Sequence, residues 1–167
     1  AWAIGPVVTT KTFSDARKPT ARYWRFINMD SVNGGNLNIG SLRLVDRHNI
    51  PLLPDAASAT VILSGGATDA LDKDWLDVLS FNAPTNNGTL EYDMARDVTP
   101  CFIELISSNA LISQPTNFLL QSSPDNATWT TRYTFNNPTW AEYASKAIFI
   151  EIPDATDNVT TNSGVDN

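Results

Sequence analysis

The sequence predicts an all-β jelly-roll β-sandwich of about eight short strands. Apolar residues recur with a period of two, rather than 3.6, in run after run. Clusters of Gly, Pro and Asn break the chain between those runs, and only one segment has a helical flavour. At 167 residues the chain is long enough for one domain with a core that needs no disulfide staple.

Residues 1–20 (AWAIGPVVTTKTFSDARKPT) carry two prolines, mixed charge and no sustained period. They read as a leading arm, and Trp2, Ile4, Val7 and Val8 make it apolar enough to pack on a neighbour. The first strong strand is Arg22–Asn28 (RYWRFIN), with aromatic and charged residues interleaved. Val32–Asn36 is a turn cluster. The strand Leu37–Asp46 returns from it, with Gly40 marking a bulge at which the phase shifts. Pro51–Pro54 is an irregular link and Thr60–Ser64 (TVILS) a short continuous apolar strand.

Gly65–Leu79 is the segment with helical flavour, after which Thr89–Met94 alternates with Leu90, Tyr92 and Met94 on one face. Cys101–Ser107 is the next strand. Gln114–Phe135 then spells a hairpin: an alternating apolar run, a Ser-Pro-Asp-Asn loop, and a second run. Period two puts Trp129, Thr131, Tyr133 and Phe135 toward the core, and Thr128, Thr130, Arg132 and Thr134 toward solvent. Ala147–Ile152 closes the set with three isoleucines in phase. Residues 153–167 are polar and aperiodic, a tail or a connection. The domain proper is therefore 21–152.

Charge and apolar run length exclude several partners. A net charge of −7 and a pI near 4.5 repel nucleic acid and anionic lipid alike. No apolar run approaches the roughly 20 residues that span a bilayer, and Ala1–Gly5 lacks the basic start and long apolar middle of a signal peptide. The single cysteine, Cys101, sits in an apolar run and reads as a buried, inert thiol.

The quoted residues resemble a family. Ala21-Arg22-Tyr23-Trp24-Arg25-Phe26, Ile39-Gly40-Ser41-Leu42-Arg43-Leu44, Ala70-Leu71-Asp72-Lys73-Asp74 with Trp75, and Pro115–Ser122 followed by Asp125–Trp129 are similar to the discoidin-like (coagulation-factor type C, galactose-binding-like) domain. The Arg-Tyr-aromatic-Arg strand comes first here, whereas in most members it comes last, so the order resembles a circular permutation. That order is similar to discoidin-like domains in bacteriophage virion proteins. The resemblance implies a non-enzymatic virion structural protein, an appendage, decoration or adaptor, in oligomeric assembly with other virion proteins. The alternative is a glycan-binding receptor-recognition module of a tail fibre or secreted adhesin.

Family members bind glycans or lipid head groups through loops at one end of the sandwich, and many hold calcium there. Of the implied calcium ligands, Asp72 matches, but Lys73 replaces a glycine and Ser41 stands where a Glu would be. A hard cation wants six to eight oxygens, so the expectation is no cofactor. Sugar binding needs an aromatic platform with polar neighbours. The candidates are Trp75, Trp140 and Tyr143, with Tyr92 beside them, and Asp74, Asn86 and Arg96 as polar contacts. The family's pattern assigns Trp24 and Trp129 to the core.

No enzyme is expected. Asp69, Asp72, Asp74 and Asp77 could supply a paired acid and base, yet their spacing suits a capped turn and a solvated face. His48 follows Asp46-Arg47 in a turn and reads as a surface residue, with no nucleophile in a recognisable setting near it.

Overall fold

The computed structural model describes residues 17–31, 36–60, 62–71, 79–81, 88–107, 114–136, 147–155 and 161–162. Among the described residues eleven strands form two sheets: β1 (Ala21–Ser31), β2 (Leu37–Val45), β3 (Ala56–Thr60), β4 (Ile62–Ser64), β5 (Leu79–Phe81), β6 (Gly88–Val98), β7 (Phe102–Ser107), β8 (Pro115–Ser123), β9 (Thr130–Asn136), β10 (Ala147–Glu151) and β11 (Thr161–Asn162). The larger sheet runs β11-β9-β8-β1-β6-β3 and the smaller β10-β7-β2-β5-β4. Every pairing is antiparallel except the two-residue contact of β11 with β9. The chain is an all-β sandwich, as its periodicity predicts.

The core lies between the sheets. Trp24 and Phe26 come from β1, Leu90 and Tyr92 from β6, and Phe118 and Leu120 from β8; Leu42, Leu44, Ile103 and Leu105 face them from the smaller sheet. Phe26 meets Tyr92 and Phe118 edge-on at 6.0 and 5.5 Å, and Phe118 stacks on Phe135 at 4.6 Å. These are the offset and perpendicular geometries that ring quadrupoles favour. Tyr92 crosses the core to donate its hydroxyl to the Leu42 carbonyl at 2.6 Å. A buried phenol is thereby satisfied, and burial pushes its pKa well above the ordinary tyrosine range. Tyr92 is therefore a core residue and not a sugar platform.

The bulge expected at Gly40 is present. Ile39 pairs with Ser107 and Ser41 with Ile106, so one residue is extra on β2. The shift lets Leu37 and Ile39 before it, and Leu42 and Leu44 after it, all reach the core. Cys101 is buried, as expected.

Three readings need correction. The run Thr60–Ser64 is not one strand: β3 ends at Thr60 in the larger sheet, and β4 begins at Ile62 in the smaller one. An unbroken apolar run suits a strand facing two environments, and it carries no mark of where the chain changes sheet. The segment of helical flavour contributes one five-residue 3-10 helix, Ala67–Leu71, and then the strand β5. In that helix Asp69 accepts from the Gly66 amide at 2.7 Å, which is the capped turn its spacing suggests.

The third correction concerns Trp129. Leu120 pairs with Tyr133, but Gln121 pairs with Thr131, so Arg132 is an extra residue in β9. This bulge reverses the phase. Tyr133 and Phe135 point into the core, while Thr131 and Trp129 lie on the opposite face, and Trp129 is only partly buried. Arg132 turns inward instead and donates to the Ser122 hydroxyl at 2.8 Å.

Candidate functional site

Of the residues expected to meet a sugar or a metal, Trp75, Trp140, Tyr143, Asp74, Asn86 and Asp72 lie outside the described residues. Arg96 is described: it is exposed near the end of β6. His48 is in a surface turn, where its amide donates to Asp46 at 2.8 Å and its Nε2 accepts from Arg47.

What the described residues do bring together is a set on the outer face of the larger sheet. Because Trp24 and Tyr92 point inward, strand alternation sends Tyr23, Arg25, Glu91 and Asp93 outward. Arg25 stands opposite Gln121 on one side and Glu91 on the other, with Thr131 and Ser58 next in line. Four of the five strands in this row are joined by side chains. Gln121 donates to Thr131 at 3.0 Å, Arg25 donates to Gln121 at 2.8 Å, and Arg25 approaches Glu91 at 3.9 Å. The Arg25 guanidinium lies 4.0 Å from the centre of the Trp129 ring, so the indole rests on a cation that the row holds in place.

A second row, Tyr23, Asp93 and Ala56, runs beside the first. Arg22 sits in a register shift of β1 and grips Asp93 with two hydrogen bonds of 2.8 and 2.9 Å, while its guanidinium lies 4.8 Å from the Tyr23 ring centre. The Arg22 contact, helped by the Ala95 amide, holds the Asp93 carboxyl below its usual pKa. Between the two rows opens a hollow of about 160 Å³, floored by Tyr23, Glu91, Asp93 and Ala56 and edged by Trp129 and Asn126.

The hairpin loop fixes that edge. Asp125 accepts from the amides of Thr128 and Ala127 at 2.7 and 2.9 Å and from the Ser123 hydroxyl at 2.9 Å. The Thr128 amide, followed by the Ala127 amide and the Ser123 hydroxyl, draws its pKa down to about 2. Asn126 takes a left-handed φ of 60°, which asparagine tolerates better than most residues.

Asp72 and Lys73 of the implied calcium loop lie outside the described residues, and the carbonyls just before them are already engaged. Ser41 donates to the Ala70 carbonyl and Arg43 to the Leu71 carbonyl, both at 3.3 Å. These are the last carbonyls before Asp72, and they are engaged by a hydroxyl and a guanidinium. Arg43 also brings a fixed positive charge, and its partner is Glu104 on β7, bonded at 2.8 Å through Nε.

The pairing of Trp129 with Arg25 could not be read from the sequence, because it follows from the bulge at Arg132. The outward set of Tyr23, Arg25, Glu91 and Asp93 was readable from alternation alone. No family model matches the chain, and no curated protein or solved structure matches it.

Proposed function

We propose that this chain is a non-enzymatic structural protein of a bacteriophage virion, an appendage, decoration or adaptor built on a discoidin-like jelly roll in permuted order. The resemblance of its motifs supplies the virion reading. The observation that carries the permuted order is the meeting of the two ends of the sandwich. The Ala155 amide donates to the Arg17 carbonyl at 2.7 Å. The buried Lys18 ammonium donates to the Ile152 carbonyl and pairs with Glu151 at 2.9 Å and Asp154 at 3.1 Å. Ends that meet allow a sandwich to be reopened at another loop without disturbing its core.

Probing purified phage particles with an antibody against the chain, followed by imaging, tests the reading. Label on the capsid shell or on a tail appendage is expected, and particles free of the chain would sink it.

A second reading, a glycan-binding recognition module, is favoured by the partly buried Trp129 at the edge of a polar hollow. Its test is a glycan array probed with the native chain and with Trp140→Ala, which separates a loop site from any other.

A further inference from the structure

The hollow on the outer face of the larger sheet is lined by residues other than those that the loop-based glycan reading names. Its chemistry is specific enough to name a ligand class. Each of its carboxylates already faces a guanidinium: Asp93 is gripped by Arg22, and Glu91 approaches Arg25 at 3.9 Å. The charges balance, so an ionic ligand finds no net attraction. A phosphate would also meet two carboxylates, and a cation at the free face of either ring would be opposed by the guanidinium, Arg22 or Arg25, that occupies the other face.

What remains attractive is an uncharged ring. Trp129, Tyr23 and Ala56 offer apolar surface, while the Asp93 and Glu91 carboxylates and the Asn126 amide offer hydrogen-bond partners around it. A pyranose presents those two features, an apolar face and a rim of hydroxyls. At about 160 Å³ the space is well below that of a drug-sized site and suits a single ring.

The site is also built before any ligand arrives. The Asp125 turn fixes Asn126 and the approach to Trp129, and the Thr131–Gln121–Arg25 chain supports the indole from beneath. Little side-chain ordering is left for the ligand to impose.

We propose that the hollow between Trp129, Tyr23 and Asp93 is a subsite for one uncharged pyranose ring, the terminal unit of a neutral glycan. The inference rests on the glycan-binding reading and moves its contact from the loops to the sheet face.

The full chain, labelled with ¹⁵N, is titrated with neutral methyl glycosides (galactoside, glucoside and N-acetylglucosaminide) up to tens of millimolar. At least one is expected to shift the Trp129 indole resonance, assigned by its loss in Trp129→Ala, together with the Asn126 amide. Ala56→Trp adds bulk at an exposed position of edge strand β3 and fills the hollow. It should weaken binding at least about tenfold while the melting temperature holds. If Ala56→Trp does lower that temperature, Glu91→Gln, which keeps shape and removes charge, is expected to weaken binding severalfold instead. Shifts confined to other indoles, or binding that survives these variants, would overturn the subsite and leave the loop-based glycan reading standing. No shift with any glycoside would overturn the subsite and count against that reading too.

Discussion

Asp125 ties the hairpin loop together through one side chain, accepting two backbone amides and a serine hydroxyl. Its ordinary value of 3.8 falls to about 2 in the folded chain, the Thr128 amide being the largest cause. A carboxylate with a depressed folded pKa adds stability that is present above its unfolded value and is lost as pH falls through the folded one. The stability difference between the native chain and Asp125→Asn should therefore be constant from neutral pH down to about 4 and shrink between there and about 2. Melting temperatures of both proteins across that range are the measurement. A difference that does not change with pH would mean that the loop is held by shape rather than by charge. The Asp-Asn pair could be read from the sequence as turn-forming. That its carboxylate is the hub could not, since the bonding depends on how Ala127 and Thr128 fold back.

At the scale of elements, most strands could be read because each has one buried face and one outer face, and period two follows. Two features escaped for physical reasons. A bulge adds a residue without altering composition, so strict alternation puts the residues of β9 before Arg132 on the wrong face, and Trp129 with them. Gly40 was readable as a bulge because glycine itself advertises one; Arg132 carries no such sign. The β2–β7 pair shows a second limit, since nothing in the sequence ties Arg43 to Glu104, 61 residues on. Their side chains are only 10% and 1% exposed. Removing one partner of a buried pair strands a charge, so Arg43→Ala should cost about 3–5 kcal/mol in chemical denaturation, whereas Arg43→Met with Glu104→Leu should cost far less. The same guanidinium holds the Leu71 carbonyl. Chelator should accordingly leave the melting temperature of the native chain unchanged, and a marked drop would show that a cation holds the loop after all.

At the scale of the whole molecule, the segment before β1 meets the segment after β10. Burial pulls the Lys18 ammonium toward neutrality, but the hydrogen bonds and charges of Glu151 and Asp154 outweigh it and keep its pKa above the ordinary lysine value. The ion cluster and the Ala155–Arg17 hydrogen bond thus hold the segment that leads into β1 against the one that leaves β10 at neutral pH. If the order of strands is a permutation, the reverse operation should be tolerated. The variant joins Asn167 directly to Ala1, so that residues 156–167 and 1–16 become a connection, and opens the chain between His48 and Asn49. That turn is exposed, and its bonds are local: Asp46 accepts from the amides of His48 and Ile50, and Asn49 donates back to Asp46. No core residue lies in it, and closing a longer loop costs only about 0.6 kcal/mol per doubling of its length. The permutant begins at Asn49 and ends with β1 and β2, the order that the resemblance implies for most of the family. It is expected to fold cooperatively and to melt within a few degrees of the native chain. Failure to fold would mean that β1 and β2 must lead the chain, and the permuted reading would lose its physical basis.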